Sequence, residues 1–287
     1  MKERNDLLLE AINASLRAGE KILEVYKSED YEVQFKKDKS PLTLADRKAD
    51  NIISEMLSVT GIPYFSEEGK KTPFEERTGW ERYWLVDPLD GTKEFINRIG
   101  EFTVNIALIE KQTPVIGVVF VPVIKQLYFA EKQTGSFTIE NVFEKEIFSS
   151  FHKLVAKAKK IESNRVIENF RIVGSRSHLS PETSDYIGKL QQQYGKAEVV
   201  TKGSSLKICL VAEGKADIYP RLGPTMEWDT AAGHAIALYA GCSVLQFNSG
   251  DPLVYNKPDL LNPWFVVRSM AFRKISNDKH QISNKSQ

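Results

Sequence analysis

Two aspartates three residues apart, Asp87 and Asp90, stand in the stretch Trp84-Leu85-Val86-Asp87-Pro88-Leu89-Asp90-Gly91-Thr92-Lys93-Glu94-Phe95. An apolar run breaks at Asp87-Pro88, and residues able to start a helix follow Gly91. A strand-to-helix turn of this kind aims free backbone N–H groups at one point, which suits a phosphate. The carboxylates on the same turn offer the hard oxygen donors that Mg²⁺ takes as ligands. Pro88, with no N–H and a fixed φ, stiffens the link between them. Metal and phosphate would therefore meet on one turn. Taken alone, the stretch is also an ordinary Asp-Pro/Asp-Gly turn; its weight comes from partners elsewhere in the chain.

Four other places supply such partners. Glu67 and Glu68 follow the short apolar run Ile62-Pro63-Tyr64-Phe65, where in isolation they would read as a solvated acidic tip. Asp46 lies three residues after Thr43, the spacing of a capping box, which a catalytic role could share. Asp229 follows Trp228 and opens a helix with Ala232, Ala235, Ile236 and Tyr239 on its inner face. An acid at a helix start is commonplace, since the macrodipole favours it. Ala231, Ala232 and Gly233 would let that helix approach closely and bring Asp229 near another element. The turn Gly203-Ser204-Ser205-Leu206-Lys207 opens a helix with a lysine one turn in, alone a weak anion-site signal. Arg221, in Tyr219-Pro220-Arg221-Leu222-Gly223-Pro224, is a second cation on a stiffened loop. His234 reads as a helix-surface or packing residue.

The elements that must position these residues follow from periodicity. Leu8, Ile12, Leu16, Leu23 and Tyr26 predict a long N-terminal helix, and Ala45, Ala49, Ile52, Ile53 and Met56 a second one starting after Thr43. A strand over 62–65, a polar loop over 69–82 and a meander of strands over 102–108, 115–120 and 126–130 give a mainly antiparallel sheet. Residues 140–169 read as a junction between lobes. Beyond it, strands over 171–174, 197–200, 217–219 and 244–247 alternate with helices over 182–192, 205–212 and 229–240, the pattern of an α/β lobe. The expectation is one domain over 1–268. It comprises an α+β metal and phosphate lobe over about 1–139 and an α/β substrate lobe over about 170–268, followed by a disordered polar tail over 269–287 with no core to join.

Composition narrows the class. The chain of 287 residues is 41% hydrophobic, enough to bury a full core. A formal net charge of +1 predicts no strong attraction to nucleic acid or to an anionic membrane. With two cysteines, Cys209 and Cys242, and four scattered histidines, neither a disulfide scaffold nor a structural zinc site is expected, and a reducing cytoplasm is the natural home. No stretch approaches the roughly 18 apolar residues of a membrane span, and no signal peptide is apparent.

Taken together, Asp87-Pro88-Leu89-Asp90-Gly91-Thr92, Glu67-Glu68 upstream and Trp228-Asp229-Thr230-Ala231-Ala232-Gly233 downstream resemble the inositol monophosphatase family of Mg²⁺-dependent, Li⁺-inhibited phosphatases. Longer matches point to its CysQ-type 3′(2′),5′-bisphosphate nucleotidase branch: Gly100-Glu101-Phe102-Thr103-Val104-Asn105-Ile106-Ala107-Leu108-Ile109, Gly203-Ser204-Ser205-Leu206-Lys207 and Leu210-Val211-Ala212-Glu213-Gly214. The likeness covers about residues 5–268 and is poorest over 140–169. It implies an αβαβα sandwich, with two or three Mg²⁺ ions held by Glu67, Asp87, the Leu89 carbonyl, Asp90 and Asp229. It also implies a water activated by Asp46 with Thr92, and phosphate bound by the Gly91 and Thr92 amides. Ser205, Lys207, Arg221 and, more weakly, His178 are then candidates for the nucleotide, with Glu67 and Asp229 also facing substrate.

The activity so implied is hydrolysis of 3′-phosphoadenosine 5′-phosphate to AMP and phosphate, a step of sulfate metabolism. An inositol monophosphatase and a non-catalytic nucleotide or metal sensor are the alternatives; the intact acidic set argues against the sensor. The partners expected are small molecules, with no nucleic acid and no integral membrane segment. Oligomeric state and peripheral contact with the inner membrane are left open.

Overall fold

Leu8, Ile12, Leu16 and Leu23 share the buried face of α1 (Arg4–Lys27), the first element of the computed structural model, which describes residues 3–28, 34–35, 41–164, 169–175, 180–195 and 197–272. A two-stranded ribbon, β1 (Gln34–Phe35) with β2 (Pro41–Leu42), precedes α2 (Leu44–Ser58). Thr43 caps α2 as its spacing predicts: its hydroxyl accepts from the Ala45 and Asp46 amides, and the Asp46 carboxylate accepts from the Thr43 amide. Then come β3 (Tyr64–Ser66), a single helical turn α3 (Phe74–Arg77), β4 (Arg82–Asp90) and α4 (Thr92–Ile96). The meander follows as β5 (Thr103–Glu110), β6 (Thr113–Val121), β7 (Gln126–Glu131) and β8 (Gly135–Ile139), and after α5 (Phe151–Lys157) a last short strand, β9 (Lys159–Ile161), joins its edge. These seven strands, β3 to β9, form one sheet in sequence order, antiparallel except where β3 runs parallel to β4.

The rest of the chain alternates: β10 (Phe170–Ser175), α6 (Pro181–Tyr194), β11 (Ala197–Lys202), α7 (Leu206–Ala212), β12 (Ile218–Arg221), α8 (Glu227–Tyr239), β13 (Ser243–Gln246) and β14 (Phe265–Arg268). Its five strands form a second sheet in the order β11-β10-β12-β14-β13. The first three are parallel, while β14 runs antiparallel to both of its neighbours.

Three apolar clusters separate five layers. One lies between α1 and α2 and the first sheet, and takes Val104, Ile106 and Leu108 from β5. The intervening Ala107 and Ile109 face the other way, into a cluster shared with α7, α8 and the second sheet. The third lies between the second sheet and α6. This is the αβαβα sandwich that was expected. Because β5 and β6 are buried on both faces, they read as nearly continuous apolar runs with only partial alternation.

The middle layer is drawn tight by small residues. A Cβ added at Gly117 of β6 would stand 2.4 Å from the Ala232 carbonyl oxygen and 2.7 Å from the Ala235 methyl, so α8 rests directly on the strand backbone. On its other side Gly233 meets Ile208 of α7, where a Cβ would come within 3.1 Å. The small-residue stripe of α8 thus permits the close approach that carries Asp229 toward the first sheet.

Several elements differ from the sequence expectation. The 140–169 stretch carries α5 and β9, so the first sheet extends past residue 139 to Ile161. β8 and β14 were not anticipated, the former short and the latter set in a Pro-rich segment. Residues 269–272 are not a free tail: Ala271 and Phe272 are buried, and the Phe272 ring lies 5.4 Å from Phe170 and 5.3 Å from Tyr194. Two apolar residues are too few to show a period. Among the described residues no helix is long and apolar enough to cross a membrane.

Gly117→Ala should lower stability by about 1–3 kcal/mol, because neither the Ala232 backbone nor Ala235 can yield without moving α8. Thermal denaturation checks this, with a melting temperature equal to that of the unaltered protein as the contrary result.

Candidate active site

The two aspartates of the central turn face the same way because of a β-bulge. Asp87 pairs with Asn105 and Asp90 with Thr103, so three steps along β4 oppose two along β5. Without the extra residue, side chains three apart would point to opposite faces of the sheet. The turn then closes through Gly91, whose φ of +92° lies in the left-handed region that glycine enters freely. The Leu89 amide donates to Asp87 Oδ1 at 3.1 Å, which fixes that carboxylate against its own turn.

Two other elements deliver acids to the same point. β3 carries Glu67 beyond its end, with the Glu67 amide donating to the Val86 carbonyl. Asp50 of α2 holds β3 by accepting from the Tyr64 and Ser66 hydroxyls at 2.7 and 2.6 Å. Asp229 is the third residue of α8, not its first, and its carboxylate accepts from the Met226 amide at 2.9 Å. One carboxylate oxygen each from Glu67, Asp87 and Asp229 lies within 4.8 Å of the others. Asp90 stands beside this trio, its Oδ2 accepting from the Ser205 hydroxyl at 3.0 Å and from the Asn105 amide group at 3.4 Å.

Burial pushes the Asp87 and Asp229 carboxyls well above the usual carboxylate range, and their acidic neighbours push further in the same direction. Burial also raises Asp90, opposed chiefly by the Lys207 ammonium. Hard oxygen donors crowded at one point, with their negative charge held against burial and mutual repulsion, are what a divalent cation such as Mg²⁺ relieves. The donor set fits that ion.

Asp46 is buried and serves two neighbours with its two oxygens. Oδ2 accepts from the Thr43 amide at 2.7 Å and the Thr43 hydroxyl at 2.5 Å, while Oδ1 faces the Thr92 hydroxyl at 3.4 Å. The cap and the approach to Thr92 therefore coexist.

A cleft of roughly 530 Å³ opens over the acids, within the usual range for a small-molecule site. Gly91, Thr92, Ser205, Lys207 and Arg221 all line it. Lys207 is buried; its pKa is lowered to about 8 by that burial, against the pull of Asp90 and with a further push from the Arg221 charge. The two cations thus lie close enough to oppose one another, and Lys207 is also near the metal-motif aspartate. Arg221 donates to the Pro224 carbonyl at 2.9 Å, which folds its loop. Ser205 is part of the frame: it accepts from Asn105 at 2.9 Å, and its one proton is shared between Asp90 Oδ2 and the Asp229 carbonyl at 2.8 Å. His178 lies outside the described residues. His234 is buried, not on the surface, hydrogen-bonded to the Tyr255 hydroxyl, with its pKa lowered to about 4 by burial.

Sequence reasoning passed over Asn105 and Glu94. Both are buried polar groups, and each left a signal: Asn105 interrupts an apolar strand, and Glu94 lies one turn beyond Gly91. Glu101 was also missed. It accepts from Lys202 and from the Gly203 amide, both at 2.9 Å, and so holds the turn that begins α7.

With this geometry in hand, the comparisons with known proteins are decisive about descent. The profile of the inositol monophosphatase family matches residues 4–276. The chain belongs to the inositol monophosphatase family. Within that family it is 43% identical over 265 residues to the 3′(2′),5′-bisphosphate nucleotidase CysQ of Salmonella typhimurium, covering 91% of this chain and 99% of the relative. The crystal structure of CysQ from Bacteroides thetaiotaomicron, described as a bacterial member of the family, superposes with a TM-score of 0.86 at 50% identity, over 92% of this chain and 97% of that one. The inositol monophosphatase of Thermotoga maritima shares the fold at 23% identity with a TM-score of 0.69, over 94% of each chain.

The raised carboxyls make a prediction with a definite sign. A carboxyl whose folded pKa exceeds its unfolded one favours folding only while protonated, and that advantage is lost as pH rises through the folded value. Metal-free Asp87→Asn, which keeps the oxygen facing Leu89, should therefore melt above the unaltered protein at about pH 8. The gap should close as pH falls toward the ordinary carboxylate range, and added Mg²⁺ should reverse the order. A gap independent of pH would contradict the assignment.

Proposed function

We propose that the protein is a Mg²⁺-dependent 3′(2′),5′-bisphosphate nucleotidase that hydrolyses 3′-phosphoadenosine 5′-phosphate to AMP and phosphate in the cytoplasm, within sulfate assimilation and nucleotide recycling. The observation that carries this reading is the meeting, in one cleft, of the acidic cluster with two cations, Lys207 and Arg221. The CysQ relatives, matched over nearly their whole length, support it.

Bound among Glu67, Asp87, the Leu89 carbonyl, Asp90 and Asp229, two or three Mg²⁺ ions would supply positive charge to the phosphoryl oxygens and make water more acidic. The chain's own residues account for the rest. The Gly91 and Thr92 amides hold the scissile phosphate at the open end of the β4 turn. Thr92, within reach of Asp46 Oδ1, orients the attacking water, and Asp46 takes its proton while Oδ2 stays committed to the α2 cap. As the new P–O bond forms, the bond to the ribose 3′ oxygen breaks and that oxygen is protonated. Lys207 and Arg221 meet the phosphate that does not react. Ser205, Asn105 and Glu101 hold the frame that aims Asp90 and Lys207.

Asp46→Asn keeps an oxygen for local hydrogen bonding but is a far weaker base. It should lower kcat by roughly 10²-fold or more. Were kcat unchanged while the melting temperature fell, as loss of a cap worth about 1 kcal/mol would bring, the capping role alone would be right.

Steady-state kinetics on two substrates test the nucleotide reading. Lys207→Ala and Arg221→Ala should each cut kcat/KM for 3′-phosphoadenosine 5′-phosphate by about 10- to 100-fold, the worth of one charge-assisted hydrogen bond. Turnover of a small monophosphate such as inositol 1-phosphate should barely change. Equal losses on both substrates would assign these cations to the shared phosphate site or to the fold.

A further inference from the structure

Outside the cleft, buried charges gather where the loop after β3 meets the approach to α8. Arg77 of α3 is 3% exposed, its guanidinium 5.1 Å from the ring centre of Phe65 and 5.6 Å from that of Phe74. It donates to three acceptors in two stretches of chain: Nε to the Thr72 carbonyl at 3.0 Å, Nη1 to Asn256 Oδ1 at 2.7 Å, and Nη2 to the Lys257 carbonyl at 3.2 Å. Asn256 answers by donating its side-chain amide to the Arg77 carbonyl at 2.8 Å. Glu227, fully buried as the first residue of α8, accepts the Asn256 and Lys257 amides at 2.7 and 3.0 Å and the Lys257 ammonium at 2.5 Å.

Both flanks of the acidic centre are thereby tied to one dipeptide, Asn256-Lys257. Phe65, beneath the guanidinium, is two residues before Glu67; Glu227 is two residues before Asp229; and the Phe65 ring lies 6.2 Å from that of Trp228, which separates Glu227 from Asp229. β3 is three residues long and is bonded to a single neighbouring strand; Asp50 of α2 holds it through Tyr64 and Ser66, and on its other face Phe65 meets Arg77 and Trp228. We propose that Arg77, acting through Asn256 and Glu227, is a positioning residue that sets the separation of Glu67 and Asp229. This rests on the reading of those two acids as metal ligands. A planar guanidinium that bridges acceptors from two distant segments, Thr72 and Asn256-Lys257, fixes their mutual orientation, which a flexible or apolar side chain cannot do. Its burial is no guarantee of stability, since a buried charge exchanged for apolar volume is often neutral or stabilising. Geometry and stability should therefore separate on substitution.

The test is binding of Mn²⁺, a paramagnetic stand-in for Mg²⁺, to the full-length protein without substrate, read by electron paramagnetic resonance of the free ion. Arg77→Met should weaken the tightest site by about 10-fold, the lower end of what partners behind metal ligands contribute. Asn256→Ala should do the same, and it decides the matter should Arg77→Met fail to fold. In a Glu67→Gln background, Arg77→Met should add little, because the ligand it sets is already gone. If Arg77→Met and Asn256→Ala bind Mn²⁺ as the unaltered protein does while Glu67→Gln does not, the brace is structural only and the positioning role is overturned. If Glu67→Gln and Asp229→Asn both bind normally, the ligand reading fails, and the brace with it.

Discussion

Mutual repulsion among buried carboxylates is the constraint on which this structure turns. Asp87, Asp90 and Asp229 are held with Glu67 where water screens poorly, and each of the three aspartates has its pKa raised by burial. Left to itself such a cluster would spread. It is kept together by neutral hydrogen bonds and steric fit: the Leu89 and Met226 amides on Asp87 and Asp229, Ser205 and Asn105 on Asp90, and a helix seated on Gly117. The three apolar clusters supply the stability that the centre withholds. The fold thus brings carboxylates together at its middle against their burial and mutual repulsion, a cost that a bound divalent cation would relieve.

The same residues serve fold and site because a carboxylate has two oxygens. Asp46 caps α2 with one and faces Thr92 with the other. Asp229 completes the start of α8 through Met226 and still presents an oxygen to Glu67 and Asp87. Asp87 accepts from Leu89 and joins the same trio. In each case the hydrogen bond to a neighbouring amide helps fix the angle of the carboxylate. The helix cap and the approach of Asp46 to Thr92, which the spacing allowed to coexist, do coexist in three dimensions.

This explains what could be read from the chain and what could not. Long helices and the meander follow from local periodicity, and so do the two lobes, whereas the order of the layers was implied by the family resemblance. The acids were legible from their motifs. Their convergence was implied by the family resemblance and, for Asp229, by the small residues of its helix; the bulge between Asp87 and Asp90 and the glycine in a distant strand that bring it about were not legible. Ser205 stays a candidate for substrate, since it lines the cleft; what the chain did not disclose is that Asn105 and Asp90 share its hydroxyl. Arg77 lay in a stretch that reads as polar loop, because a single helical turn has no period to detect and its partners are some 180 residues away. Phe272 escaped for the same reason.

The placement of the cations has a consequence for how the cleft would work on the proposed reading. Lys207 lines the same cleft as Asp90 and Arg221, and its ammonium feels both charges. Without metal, the cleft presents a phosphate with carboxylates at one end and ammonium and guanidinium at the other; the acidic end repels it. With two Mg²⁺ ions the charge of the four carboxylates would be offset and with three outweighed, so the acidic end would no longer repel phosphate. Binding of metal and of a doubly phosphorylated ligand are then coupled favourably, and by linkage each tightens the other equally. A singly phosphorylated ligand that engages only the metal end draws on the same coupling without the second attraction. Discrimination between the two would therefore depend less on the shape of the sugar than on the second attraction that Lys207 and Arg221 offer, and a bound second phosphate would also relieve the repulsion between those two cations.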